Sequence, residues 1–157
     1  MTIKLLAVGK TDDKDLQKLI DQYVKRLKHY CKFKIEIIRD IKKSKKMDEN
    51  LQKQKEGELI LAKTQASDIL VLLDENGKNF SSVGFSTWLQ KQMNTGMKQL
   101  IFVIGGPYGF SDEVYQRANQ KISLSKMTFS HQMVRLFFTE QIYRAFTILK
   151  NEPYHHQ

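Results

Sequence analysis

The sequence predicts an α/β fold with a mainly parallel sheet flanked by helices. Three observations carry that reading. Short apolar runs at 3–8, 69–73 and 100–104 each suit a strand buried on both faces. Between them lie stretches whose apolar residues recur at helical spacing. The two kinds of segment alternate, and no repeat, low-complexity stretch or linker interrupts them. At 157 residues the chain fits one domain, 1–157, with a well-packed core.

The first strand, 3–8, is an apolar run that ends at Gly9. Leu16, Leu19, Ile20, Tyr23, Val24 and Leu27 then mark an amphipathic helix behind the start signal Asp12-Asp13. Phe33, Ile35 and Ile37 alternate with charged residues, as in a half-exposed strand. From 39 to 58 the chain is heavily charged, with a basic cluster at Lys42, Lys43, Lys45 and Lys46. That segment fits a solvated loop leading into a helix, and also a contact surface for RNA phosphate. Residues 69–73 predict a buried strand ending in an Asn76-Gly77 turn. A helix follows over 82–93, with Phe85, Trp88 and Leu89 at core spacing. The strand at 100–104 delivers Gly105, and Ser111 caps a helix predicted over 112–120. A brief strand at 121–124 and a long helix over 131–150 complete the order.

Composition narrows the class of function. Hydrophobic residues make up 41% of the chain, which excludes a disordered protein. Lys and Arg outnumber Asp and Glu by 26 to 17, a net +9 that favours a polyanionic partner, RNA or DNA. The lone Cys31, beside Tyr30 and Phe33, forms no intrachain disulfide and reads as inert, so a reducing compartment is expected. No stretch has the length and apolarity of a membrane span, and the N-terminus lacks a signal peptide pattern. A soluble cytoplasmic protein is the expectation.

In open parallel sheets, ligands bind beyond the carboxyl ends of the strands, where loops converge. Three loops leave such ends here: after Leu73, at 105–110 and at 124–129. Gly105, Gly106 and Gly109 permit positive φ and a close backbone approach by a ligand, suited to an adenine edge. The same Gly-Gly-Pro-Tyr-Gly stretch also fits a plain strand-to-helix turn. Neither a P-loop nor a Gly-x-Gly-x-x-Gly fingerprint is present. Asp74 suits a ribose hydroxyl or, equally, a turn cap. The four histidines, at 29, 131, 155 and 156, show no zinc spacing. Glu140 and Arg144 stand in the favourable i,i+4 order, which alone explains both residues. Yet Arg144 lies among Tyr143, Ala145 and Phe146 in a mostly apolar helix, where an arginine is costly to bury and is better placed facing a cleft. The tail Pro153-Tyr154-His155-His156-Gln157 reads as a lid over a loop-built site.

Four ordered motifs then carry a resemblance. They are Leu-Asp-x-x-Gly-Lys at 73–78, Ile-Gly-Gly-Pro-x-Gly at 104–109, Ser-Leu-Ser-Lys-Met-Thr-Phe at 123–129, and Glu-Gln-x-Tyr-Arg-Ala at 140–145 followed by Pro-Tyr-His. With the opening Ala7-Val8-Gly9-Lys10, the chain resembles, over essentially its whole length, the ribosomal large-subunit RNA pseudouridine N3-methyltransferases of the SPOUT superfamily. The resemblance implies an α/β fold with a deep C-terminal trefoil knot and a homodimer with active sites at the subunit interface. It implies S-adenosylmethionine held by the knot loops, at Leu73, Gly105 and the run Leu124, Ser125, Lys126, Met127, Thr128 and Phe129. The implied substrate is a pseudouridine in helix 69 of 23S rRNA, presented by the assembled 70S ribosome. One departure is visible: Ser130 precedes His131 where many relatives carry proline, which removes a rigid turn.

Methyl transfer from a sulfonium is an in-line displacement that needs no metal. The protein must align N3 with the methyl carbon and assist loss of the N3 proton. Arg144 is the candidate for stabilising the charge that spreads over the flanking carbonyl oxygens. His155 is a candidate base or proton relay, with water as the alternative. Tyr154 is a candidate to stack on the flipped base. Two other classes compete. A non-catalytic RNA-binding protein fits the charge but has no use for the Gly105 loop. A small-molecule or nucleotide enzyme fits the loops but leaves the excess positive charge unexplained.

Overall fold

The computed structural model describes residues 1–41 and 47–156, so the cluster Lys42, Lys43, Lys45 and Lys46 lies outside the described residues. The elements run β1 (Thr2–Val8), α1 (Lys14–Leu27), β2 (Lys32–Ile38), α2 (Glu49–Leu61), β3 (Ile69–Asn79), α3 (Ser82–Asn94), β4 (Gln99–Ile104), α4 (Asp112–Arg117), β5 (Gln120–Ser123) and α5 (His131–Leu149). The strands join in one five-stranded sheet of order β2-β1-β4-β3-β5, and every pairing is parallel. The expected α/β class with a flanked parallel sheet is the one found.

Alternation along the strands sorts the core into two layers. Ile3, Leu5, Ala7, Val71, Leu100 and Phe102 pack toward Leu27, Trp88, Leu89, Phe138 and Ile142 of α1, α3 and α5. Leu6, Val8, Leu70, Leu72, Ile101 and Val103 pack toward Ile60 of α2 and Val114 of α4. Helix starts follow the capping residues. Asp13 Oδ1 accepts from the N–H groups of Asp15 and Leu16, at 2.8 and 2.9 Å. Ser81, Ser111 and Ser130 cap α3, α4 and α5 in the same way.

Two boundaries differ from expectation by more than one residue. The Asn76-Gly77 pair is not a turn that ends a strand. β3 runs on to Asn79, and its pairing with β5 shifts register between Leu73 and Lys78, so Asn76-Gly77 sits within an irregularity of the ladder. A Cβ on Gly77 would lie 2.5 Å from the Ile122 carbonyl carbon, so only glycine fits this close backbone approach. Helix α4 stops at Arg117 rather than 120 because Asn119 pairs with the sheet. Its N–H donates to the Leu70 carbonyl and its Oδ1 accepts from the Leu70 N–H, both at 2.8 Å.

The sequence reading also missed a buried cation. Arg135 of α5 is 1% exposed, whereas the Arg144 side chain keeps 25% of its surface. Arg135 Nη2 donates to the Val8 carbonyl at 2.9 Å and Nη1 to Thr11 Oγ1 at 3.1 Å, which ties α5 to the end of β1. Burial draws this guanidinium below its ordinary value, against the fields of Asp12 and Asp40. Gln132 adds two bonds to the same loop, to Asp12 N–H and Lys10 O, each at 3.1 Å. At the opposite end of α5, Tyr143 meets Tyr23 of α1, so the two helices lie side by side and parallel.

Candidate functional site

Parallel pairing brings the carboxyl ends of β3, β4 and β5 to one edge, and a cavity of about 480 Å³ opens there. Its walls are Leu73, Asp74 and Asn76 from β3, the 104–110 loop, and Leu124, Ser125, Met127, Thr128 and Phe129 after β5, with His131 and Val134 from α5. The structure thus brings together every cofactor-site candidate except Lys126, which is exposed and not part of the wall.

The 105–110 loop owes its shape to glycines used in two ways. Gly109 takes φ of +80° and donates its N–H to the Gly106 carbonyl at 3.2 Å, closing the turn. Gly105 and Gly106 do not adopt positive φ; they are needed for close approach instead. A Cβ on Gly106 would lie 2.3 Å from Glu56 Oε2, and one on Gly105 would lie 3.0 Å from the Phe110 ring. Glu56 is 3% exposed on α2, and its Oε1 accepts from Gln52 Nε2 at 2.9 Å. Next to it, Gly57 seats against Ser111 and Val114. Two adjacent residues of α2 therefore support the loop near both of its ends. The sequence reading named neither, because nothing in a charged helix announces that a carboxylate points inward.

The neighbouring loop is folded on its own serines. Ser123 Oγ donates to the Ser125 carbonyl at 2.8 Å, and Ser125 Oγ accepts from Met127 N–H at 2.9 Å. Asp74 is found as a cap: Oδ1 accepts from Asn76 N–H at 2.8 Å, and Oδ2 from the Tyr115 hydroxyl at 2.6 Å. Burial and the bond to Asp74 push the Tyr115 phenol up to about 12. The cavity volume lies in the range of small-molecule sites, and glycine at 105, 106 and 109 leaves the backbone approachable. Apolar walls at Leu73, Ile104, Ile122 and Leu124 with these backbone groups fit a nucleoside-sized ligand such as S-adenosylmethionine.

The three catalytic candidates form a second constellation. Arg144 Nε and Nη2 donate to Glu140 Oε1 at 3.0 and 2.5 Å. Its Nη1 lies 3.2 Å from His155 Nδ1, and its guanidinium lies 4.8 Å from the Tyr154 ring centroid. Arginine only donates, so Nδ1 accepts and a neutral His155 carries its proton on Nε2. The Tyr154 hydroxyl donates to Glu140 Oε1 at 3.0 Å, which leaves the Tyr23 hydroxyl, 3.2 Å away, as the donor to Tyr154. Burial, then the bonds to Tyr23 and Glu140, hold the Tyr154 phenol above its ordinary value, so it stays protonated. The bond to Glu140 raises Arg144 likewise. Glu140 is thus the hub that fixes both Arg144 and Tyr154, a role hidden behind its i,i+4 spacing.

None of Arg144, Tyr154 or His155 belongs to the cavity wall of its own chain. Arg144 stands thirteen residues beyond His131, about 20 Å along α5 at 1.5 Å per residue. Near the cavity, meanwhile, Met127 is 75% exposed, and Phe129, Met133 and Phe137 are each more than a third exposed.

A family model described as "Predicted SPOUT methyltransferase" matches residues 1–155. A protein of Christiangramia forsetii named ribosomal RNA large subunit methyltransferase H is 73% identical over all of both chains. Proteins of the same name from Flavobacterium johnsoniae and Parabacteroides distasonis are 69% and 60% identical, again over all of both chains.

Proposed function

Because the chain belongs to the SPOUT methyltransferase family, we propose that it is the enzyme that methylates N3 of a pseudouridine in helix 69 of 23S rRNA, on the assembled 70S ribosome. That it is a methyltransferase follows from the family. What carries the finer reading is the full-length identity to proteins named for ribosomal RNA, together with a glycine-built cavity at the strand ends. The net charge of +9 suits such a substrate. A ribosomal target also places the protein in the cytoplasm.

S-adenosylmethionine, when bound, supplies an electrophilic methyl group on a sulfonium. Leu73, Gly105 and the 124–129 loop would hold it, through backbone groups on apolar walls. Arg144, already directed by Glu140, would stabilise the anion that N3 becomes, through charge-assisted hydrogen bonds to the flanking carbonyls. Tyr154 would wall the flipped base. His155 has its basic nitrogen occupied by Arg144 in this arrangement. Its role is then to orient Arg144, and the N3 proton passes to water unless the tail swings free.

The distance along α5 makes a homodimer part of the proposal. A cavity in one protomer is completed by Arg144, Tyr154 and His155 of a second copy, and the apolar residues Phe129, Met133 and Phe137 supply a surface for that contact. Ribosomes lacking the modification, incubated with labelled S-adenosylmethionine, provide the test. Label in helix 69, greater for 70S than for free 50S and lost in Arg144→Ala, is the expected result. Cofactor binding without label in 23S rRNA refutes the substrate; no cofactor binding by the folded protein refutes the enzyme site.

A further inference from the structure

Beside the Arg144 constellation, the carboxyl ends of α1 and α5 gather cations and tyrosines that the reading above does not use. From 22 to 34 the chain carries Lys25, Arg26, Lys28, Lys32 and Lys34 and no acidic residue. A charge run alone is ordinarily a solvated face, but two cations here are held in place. The Arg26 guanidinium lies 5.3 Å from the Tyr23 ring centroid and 5.7 Å from that of Tyr143. Lys150, just past α5, places its Nζ 4.9 Å from the Tyr30 ring. Both cations are exposed.

The tyrosines form one continuous group. Tyr143 contacts Tyr23, Tyr30 and Tyr154 at centroid distances of 5.9, 5.7 and 4.8 Å. Arg144 rests on the last of these, so the surface continues into the proposed base site. Two acidic groups nearby are already engaged: Glu140 by Arg144 and Tyr154, and Glu152 by the Tyr30 hydroxyl. A guanidinium lying on a ring keeps its N–H edges directed outward, in the fork geometry that matches a phosphate. Aromatic faces beside it stack bases without regard to sequence. Cations at the ends of two parallel helices are also favoured by the helix dipoles.

We propose that the carboxyl ends of α1 and α5 form an RNA-contact surface flanking the base site, with Arg26 and Lys150 as its phosphate-binding residues. This rests on the reading of the chain as an rRNA methyltransferase. The surface directs the backbone on either side of the flipped nucleotide, while Arg144 and Tyr154 engage the base itself.

The test uses full-length Arg26→Ala, Lys150→Ala and the double variant, with Lys91→Ala, at an exposed position of α3, as a charge-matched control for each single change. Cosedimentation with ribosomes is measured across a salt series, beside calorimetric affinity for S-adenosylmethionine and the oligomeric state by light scattering. The double variant is expected to bind ribosomes about tenfold or more weakly, with the log–log salt slope reduced by roughly 1.5–2 for two lost phosphate contacts. Cofactor affinity and oligomeric state stay as in the wild type. Wild-type ribosome affinity and slope in the double variant overturn the proposal. So does an effect of Lys91→Ala equal to that of either single change, which would make net charge the cause, or dissociation of the oligomer, which would make this face a protein contact. A wild-type protein that does not bind ribosomes fails the substrate reading itself, and this proposal with it.

Discussion

Gly106→Ala tests whether α2 shapes the cofactor loop. The new Cβ would stand 2.3 Å from Glu56 Oε2 and 2.8 Å from both Oε1 and Cδ, about 1 Å inside ordinary contact. A flexible carboxylate on the surface would swing away. Glu56 is 3% exposed and bonded to Gln52, so either the loop moves or a buried carboxylate does. Overpacking of this kind costs about 1–3 kcal/mol. If that falls on the bound-state loop, affinity for S-adenosylmethionine drops by about 5- to 150-fold. Calorimetry reads the affinity and a thermal melt reads the fold. In a Glu56→Ala background the added methyl has room, so the same substitution should cost at least about 1 kcal/mol less. Wild-type affinity in Gly106→Ala, or an equal penalty in both backgrounds, refutes the reasoning.

Glu140→Ala should lower methyl transfer by about 10–100-fold while leaving cofactor affinity unchanged, because Arg144 and Tyr154 lose their shared acceptor; a parallel loss of cofactor affinity contradicts that separation. Gly77→Ala should destabilise by about 3 kcal/mol in denaturant unfolding, since Ile122 and Lys121 backbone atoms at 2.5–2.7 Å offer no side chain to move; a change under about 0.5 kcal/mol would mean that the ladder tolerates a shift there. Burial pushes the Cys31 thiol up to about 12, so its native alkylation at pH 8 should run on the order of a thousandfold slower than in urea. Comparable rates in the two conditions would show the thiol to be accessible.

The fold was legible where periodicity is strong. The apolar runs at 3–8, 69–73 and 100–104 became β1, β3 and β4, and Asp13 and Ser111 announced their helices. Failures came where local chemistry yields to tertiary pairing. Asn76-Gly77 has the composition of a turn, yet β5 lies against it and the strand continues. Asn119 ends α4 by bonding to Leu70, forty-nine residues away, which no local window contains. The loops of the cavity could be placed from glycine and strand ends, but not the residues behind them: Glu56 and Gly57 sit in a charged helix, and Arg135 resembles any other helical arginine until it is found buried. Arg144 was selected for its apolar neighbours, and its partner Glu140 was read as a surface pair; the Tyr23 and Tyr154 hydroxyls that complete the network are brought in from α1 and the tail.

The central claim is that one active site draws its cavity from one protomer and Arg144 from the other. Subunit mixing tests it. Arg144→Ala retains the cavity, and Thr128→Trp, at an exposed position of the cavity wall, retains Arg144 while filling the cavity; each homodimer alone is expected to be inactive. Unfolded together and refolded as a mixture, the two should recover about a quarter of wild-type methyl transfer to ribosomes, because half of the dimers are mixed and each holds one intact composite site. No recovery in a mixture shown to contain heterodimers would place Arg144 and the cavity in the same protomer's site and contradict the account.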